Sequence, residues 1–371
     1  MSRSLQKKKS VEDRVEVSDK ETGAVLLTTL LVMAIMAALA VAIMDDVRLA
    51  LKRTANISDY AQADWYVHGA EDYVGNVLGD ALISVEAGDR SQILEQLSPI
   101  ILPIDDGFMQ INVSDGSHCF NLNSLTTREA GQASDIAVAQ FVSLIEMLDI
   151  PSNDADRLVA RIVDWIDSDS QSRPGGAEDG HYLRRTPPIR TANTPLKSVM
   201  ELRAIDGMTA DIYAALRPWV CIAEPYSLNI FNLDTAQIWH APILATYLGG
   251  EEQLSLAVQI IQERPPEGYG DFKNLQSSPA LTALGDGKDS PLKSDLWSED
   301  LIKFSPPSLW VELSLQYRNV QRSRSFHFTG LDRDNLLLTY RGWGKESFKP
   351  DLDPDGHNET DAALLNEDRN P

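Results

Sequence analysis

Glu21-Thr22-Gly23 runs directly into Ala24–Met44 (AVLLTTLLVMAIMAALAVAIM), a stretch without one charged side chain that Asp45-Asp46 closes. Coiled at 1.5 Å per residue, such a run spans roughly 30 Å, the thickness of a bilayer's hydrocarbon core. The sequence therefore predicts one membrane helix at 24–44, with most of the 371 residues following it as cargo on the far side. Gly23 matters as much as the run. It stands before the apolar stretch, so a leader cut after Gly23 leaves the helix on the mature chain, starting at Ala24. Two other readings stay open at this point. Ala38-Leu39-Ala40 and Ala40-Val41-Ala42 fit ordinary signal cleavage, and an uncleaved signal anchor has the same composition. Arg3, Lys7, Lys8, Lys9, Arg14 and Lys20 hold the leading end in the cytoplasm, although Glu12, Asp13, Glu16, Asp19 and Glu21 are interleaved with them.

Helical periodicity does not stop at Asp45. Val47, Leu51, Ile57, Tyr60, Ala61, Trp65 and Tyr73 fall mostly at helical spacing and no Pro intervenes, so the rod continues to about Ala81. A short helix (Ser91–Leu97) and Pro99 lead to a strand pair broken at Asp105-Asp106-Gly107. Phe108–Val113 alternates, and Ser114-Asp115-Gly116 turns the chain toward His118-Cys119-Phe120. Helices are then predicted at Ala133–Leu148, Ser152–Trp165, Pro195–Arg203, Thr209–Leu216, Asp234–Gly249 and Gln253–Gln262. Ser308–Arg322 and Ser325–Tyr340 alternate again, as a hairpin turning at Arg322-Ser323-Arg324. Residues 345–371 are polar and acidic and read as a disordered tail. Phe120-Asn121-Leu122-Asn123 recurs loosely as Phe231-Asn232-Leu233-Asp234, where the polar side chains suit helix caps. Leu202–Met208 joins two helices through Gly207, like a helix-hairpin-helix unit, but its acidic neighbourhood favours a packing module.

Charge narrows the function classes. With 33 basic against 55 acidic residues the formal net charge is -22, and nucleic acid is excluded as a partner because binding it needs clustered cations. The two cysteines, Cys119 and Cys221, are either a disulfide in an oxidising compartment or two buried thiols. The six histidines show no metal-ligand spacing, and no nucleophile elbow, phosphate loop or dinucleotide fingerprint is present, so the chain reads as no enzyme.

The densest chemistry lies in Asp164-Trp165-Ile166-Asp167-Ser168-Asp169, followed by Arg173-Pro174-Gly175-Gly176-Ala177-Glu178-Asp179. Asp167 and Asp169 leave the end of a helix, and a Pro-Gly-Gly bend can return Glu178 and Asp179 toward them. Hard cations such as Ca²⁺ take roughly six to eight oxygen ligands from such groups. A solvated acidic loop is the alternative, and an aspartate-pair hydrolase a third.

Taken together, Gly23 with its apolar helix, Phe120-Asn121-Leu122-Asn123, the acidic Pro-Gly-Gly-Ala-Glu block, and Leu228-Asn229 with Asn232–Ala236 resemble the minor pseudopilin K family of the type II (general) secretion pathway. The resemblance runs from Gly23 to about Gly344. It implies an α+β fold: a pilin-like long N-terminal helix and antiparallel sheet with a large inserted α-helical domain. The expected division is a leader (1–23), a transmembrane helix (24–44), pilin-like helix and first strands (45–119), the inserted domain (120–300), returning strands (301–344) and the tail. It further implies cleavage at Gly23–Ala24 and N-methylation by the prepilin peptidase, and calcium at the acidic block with Asp167, Asp169, Glu178 and Asp179 as ligands. The expected partners are the minor pseudopilins I and J, and the expected place is the bacterial inner membrane, single-pass, with the large domain in the periplasm. Counting from Ala24, Thr28 is the fifth residue, where most pilin-type subunits carry a glutamate. Its absence fits a subunit at the tip of the pseudopilus. A minor type IV pilin and a signal-cleaved periplasmic calcium-binding protein are the rival readings.

Overall fold

A computed structural model describes residues 12–127, 133–150, 152–284, 295–333 and 335–344. The expected tail, 345–371, lies outside the described residues. The chain divides into two compact units, Met1–Gln62 and Ala63–Pro371. Helix α1 (Glu12–Asp72) begins in the first and ends in the second.

From Gly23 to Gln62 the apolar residues of α1, among them Leu27, Met33 and Ile43, are exposed. Among the described residues this is the one helix long and apolar enough to cross a membrane. The two threonines of its apolar run, Thr28 and Thr29, do not spoil it. Thr28 Oγ1 donates to the Val25 carbonyl at 3.0 Å and Thr29 Oγ1 to that of Leu26 at 2.9 Å, so neither hydroxyl needs an outside partner.

The second unit starts where α1 becomes one-sided. Ala63, Val67, Ala70, Val74, Leu78 and Leu82 are buried at steps of three and four, the spacing that places residues on one helix face. The stripe passes through a π-helical turn (Tyr73–Leu78) into α2 (Gly79–Ile83). A second short helix, α3 (Ala87–Leu97), follows. Arg90 is buried between them. Its guanidinium donates to the carbonyls of Leu82, Ile83 and Leu331, tying the end of α2 to the 3₁₀ turn Leu331–Arg333 that follows the last buried residues of the sheet's fourth strand.

Strands β1 (Ile100–Ile104) and β2 (Gly107–Asp115) form the first hairpin, with Asp106 at φ 59° in the turn. The chain then leaves the sheet. Within the excursion lie β3 (Phe120–Asn121), α4 (Asp135–Glu146), α5 (Ser152–Ile166), α6 (Asp179–Tyr182), α7 (Ala210–Leu216), β4 (Val220–Cys221) and β5 (Phe231–Asn232). After these come α8 (Ala241–Leu248), α9 (Leu254–Gln262), α10 (Phe272–Gln276), α11 (Pro279–Thr282) and β6 (Ile302–Lys303). The chain returns as β7 (Ser308–Tyr317), β8 (Val320–Thr329) and β9 (Leu337–Trp343), completing an antiparallel sheet of order β1-β2-β7-β8-β9. The architecture is thus α+β, a pilin-like helix and sheet with a helical domain inserted between neighbouring strands.

The core is in two parts. One lies between the α1 stripe and the sheet, where Ile111, Val113, Val311, Leu313 and Phe326 are buried. The other fills the inserted domain around Phe120, Phe141, Ile162 and Tyr247.

The hairpin turn sits elsewhere than the alternation predicted. It is Arg318-Asn319, with Tyr317 paired to Val320 and Arg318 at φ 49°. Arg322, Ser323 and Arg324 lie inside β8. Their charge does not demand a turn because Asp64 of α1 pairs with Arg322 at 3.2 Å and Arg324 at 3.8 Å. The predicted helix Pro195–Arg203 shrinks to a 3₁₀ segment, Val199–Ala204, started by a capping box at Ser198 and Glu201. Asp234–Gly249 becomes α8 preceded by the 3₁₀ turn Ile238–His240.

The loose repeat has a shared geometry. Phe120-Asn121 pairs in parallel with Val220-Cys221, and Phe231-Asn232 pairs in parallel with Ile302-Lys303. In each, the buried Asn accepts through Oδ1 from the backbone two residues on, Asn123 N at 3.1 Å and Asp234 N at 3.2 Å. Cys119 and Cys221 are joined by a disulfide across a sequence separation of 102 residues, beside the first of these pairs. Closing a loop of that size removes unfolded-chain entropy, so the Cys119→Ser/Cys221→Ser double variant is expected to lose about 2–5 kcal/mol in denaturant unfolding of the second unit. An unchanged midpoint refutes that role.

Candidate metal centre

Helix α5 supplies the first carboxylates. Ala155, Leu158, Val159, Ile162, Val163 and Ile166 form its buried stripe, and that stripe carries Asp164 into the interior with them. Asp164 is fully buried and accepts from the Ser172 hydroxyl at 3.2 Å and from the Arg173 backbone N–H. It is the anchor of the acidic loop rather than one of its free groups. The two glycines follow from this. Gly175 has φ +82°, and a Cβ on Gly176 would stand 2.1 Å from Asp164 Oδ2. The bend therefore closes over the carboxylate only if both residues lack side chains.

The bend brings together Asp167, Asp169 and Glu178, one ligand oxygen of each lying within 4.8 Å of the others. Asp167 and Glu178 are buried while Asp169 is exposed. Asp167 Oδ1 and Glu178 Oε1 have no hydrogen-bond partner. Asn193 Nδ2 donates to the Asp169 carbonyl at 3.0 Å, and its own Oδ1 is also buried without a partner. Oxygen atoms buried without donors are the donor set a hard cation takes, and the group fits a divalent cation on those grounds.

Asp179, the fourth residue expected here, is used elsewhere. Its carboxylate accepts from the Thr191 backbone N–H at 3.0 Å, from the Thr191 hydroxyl at 2.9 Å and from Arg190 at 3.1 Å. The Thr191 bonds and Arg190 hold it below the usual carboxylate range. Adjacent residues at the start of a helix point apart, so Glu178 turns inward and Asp179 clamps the following loop. Sequence spacing showed that the two acids return toward α5, but not which one faces it. Asp164 is the functional residue that spacing missed, and the small pair Gly175-Gly176 was its signal.

Electrostatics agree with the geometry. Burial, then repulsion from Asp169 and Asp164, pushes Asp167 up to about 6. Burial, then Asp164 and Asp167, pushes Glu178 up to about 7. A bound divalent cation removes that repulsion and links the end of α5 to the start of α6.

A long helix whose buried stripe packs on an antiparallel sheet, interrupted by a helical domain with an acidic centre, defines a pilin-like subunit carrying an insertion. Residues 118–225 match the family model described as type II secretion system (T2SS), protein K. The chain is 34% identical over 268 residues to type II secretion system protein K of Klebsiella pneumoniae, covering 71% of this chain and 82% of that one. It is 31% identical over 300 residues to the protein of the same description from Aeromonas hydrophila, with 76% and 89% covered. The fold is shared with a chain in the crystal structure of the GspK-GspI-GspJ complex of enterotoxigenic Escherichia coli. The TM-score is 0.64 at 24% identity, over 79% of this chain and 99% of that one.

The chain belongs to the type II secretion system protein K family. It is a minor pseudopilin, held in the inner membrane by one helix with its large domain in the periplasm.

The raised carboxyls set a pH dependence for the metal-free protein. Asp167 and Glu178 titrate higher in the folded chain than the roughly 4 of unfolded carboxyls. The folded state therefore holds more protons across that window, and stability falls as pH rises from about 4 through 7. Melting in chelator is expected to drop over this range, and Glu178→Gln to flatten the slope. A melting temperature that rises between pH 5 and 7.5 in chelator overturns the assignment.

Proposed function

We propose that this subunit sits at the tip of the pseudopilus and starts its assembly together with the minor pseudopilins I and J. The observation that carries the reading is Thr28. Pilin-type subunits place a glutamate at that depth, and a carboxylate in a bilayer is costly unless a neighbour neutralises it. Here the side chain closes onto its own helix at the Val25 carbonyl, so the anchor asks for no charged partner from a subunit above. The inserted domain, reaching from the end of β2 to the start of β7, adds bulk that obstructs stacking on top. The complex of the E. coli relative, which by its description joins K, I and J chains, supports the choice of partners.

Two further parts belong to this reading. The leader is removed by the prepilin peptidase between Gly23 and Ala24, with methylation of the new amine, and the rest of the expected division (24–44, 45–119, 120–300, 301–344 and the tail) is retained as the working domain map. The cation at Asp167, Asp169 and Glu178 is calcium, since the donors are hard oxygens without sulfur or imidazole among them.

The decisive test is co-expression in membranes with pseudopilins I and J and the peptidase. Mass and N-terminal sequencing are expected to give a chain beginning at N-methylated Ala24 that co-purifies with both partners, and Gly23→Glu to leave the leader uncut. A mature chain starting near Ile43 sinks the reading. For the metal, calcium is expected to raise the melting temperature of the wild-type chain over that in chelator. Asp167→Ala/Asp169→Ala is expected to abolish the difference. Equal melts of the wild type with calcium and with chelator remove the site.

A further inference from the structure

A second cleft, unrelated to the acidic centre, lies where residues 227–230 pass the disulfide beside the start of β7 and the end of β8. Its volume is about 290 Å³. Leu228-Asn229, one of the stretches that stood out in the sequence, lines it together with Ile230, Pro307 and Thr329.

Asn229 is buried, at 2% exposure. Its Oδ1 accepts from Asn121 N at 2.9 Å, and its backbone carbonyl accepts from the Tyr247 hydroxyl at 3.0 Å. Its Nδ2 is buried without a hydrogen-bond partner. Turning the amide over does not relieve this, because Asn121 N needs an oxygen where Oδ1 stands. Thr329, at 7% exposure, has a second such atom in Oγ1. His327 also lines the cleft, but its Nε2 faces Gly116, where a Cβ would stand 2.6 Å away, so the chain covers that nitrogen.

The backbone adds to these groups. Among the described residues the N–H groups of Leu228 and Ile230 make no hydrogen bond, so the stretch leading into β5 has main-chain donors to spare. Charge does not decide what enters. Arg333 pairs with Glu224 at 2.6 Å and stands 3.8 Å from Asp332, so each acid at the rim already has a cation. The rest of the wall is apolar: the disulfide, Ile230, Pro307 and a Leu228 side chain that is 57% exposed.

A buried donor without a partner is costly to leave so. A recess that joins a few such groups to apolar walls has the composition of a ligand site. The matching ligand is uncharged, brings a carbonyl oxygen to Asn229 Nδ2 and lays an apolar group on the wall. Peptide units carry both in regular order, and unpaired main-chain donors are what an extended peptide uses when it adds to a strand. We propose that this cleft binds an extended, uncharged polypeptide segment. Its backbone pairs with residues 228–230 and with the free Asn229 and Thr329 groups, and an apolar side chain rests against Leu228 and Pro307. Neither the cation nor the position at the tip enters the argument, and the site stands if either of those fails.

The test uses the full chain in detergent, isotope-labelled at asparagine for NMR. The Asn229 side-chain amide is assigned through Asn229→Asp, which keeps an oxygen for Asn121 N. Acetyl-Ser-Val-Leu-Val-Ser-amide is titrated. The expected result is a saturable shift of the Asn229 amide, lost when glutamate replaces leucine in the peptide and weakened about tenfold in Leu228→Glu. An unchanged melting temperature verifies that this surface variant is intact. Thr329→Val, which keeps the shape of the side chain and removes only its hydroxyl, is expected to weaken binding as well. Absence of a saturable shift overturns the proposal, as does equal binding of the glutamate peptide or indifference to both substitutions. Octanol binding at least as tightly as the peptide also overturns it, since the cleft then takes any apolar chain instead of a polypeptide.

Discussion

The helix that opens this chain has to satisfy two solvents. Over Ala24–Met44 it meets hydrocarbon on every side and so carries no charge. From Ala63 onward it meets a sheet on one side and water on the other, and its buried apolar residues fall at steps of three and four. The burial of that stripe on β2, β7 and β8 is what the second unit is built upon. Asp64 and Glu71 border it and pair with Arg322, Arg324 and Arg341 of the sheet, so the helix is held in register by charges at its rim as well as by its apolar face. Exposed pairs of this kind add little energy individually. Their contribution here is to let basic residues stand inside a strand.

The insertion is possible because its two ends are neighbours. Asp115 ends β2 opposite Leu309 of β7, and Gly116 N donates to the Ser308 carbonyl at 3.1 Å. A domain may therefore leave and return without separating the strands. The first Phe-Asn pair, the disulfide and the saturated Asp115 carboxylate each have one member just after or at the end of β2 (Phe120, Cys119, Asp115), and the second Phe-Asn pair has Ile302-Lys303 just before β7. Loop-closure entropy grows only slowly with loop length, so once the ends are pinned the size of the insertion matters little.

The same logic explains the acidic centre. Crowding Asp164, Asp167, Asp169 and Glu178 costs desolvation and repulsion, and the fold accepts this where a cation can reverse the sign. Asp164 is partly satisfied by the backbone it holds. Asp167 and Glu178 keep oxygen atoms without donors, which distinguishes this loop from an ordinary solvated one.

Much was legible in one dimension. The anchor follows from length and lack of charge, the β1–β2 turn from Asp105-Asp106-Gly107, and the helices α4, α5, α7 and α9 from periodicity to within a residue or two at most ends. These are local properties, set by backbone sterics and by which face must be apolar. Other features rest on contacts between residues far apart in sequence. Arg322 and Arg324 read as a turn until Asp64, some 260 positions earlier, supplied their counter-charge. Glu178 and Asp179 were equivalent until Thr191 and Arg190 took one of them. The anchor, the order of the elements and the presence of an acidic block follow from the order of residues alone, because those depend on neighbours along the chain. Which carboxylates face one another and which stay unpaired was decided only by the tertiary structure, because the direction of a side chain is settled by what packs against it.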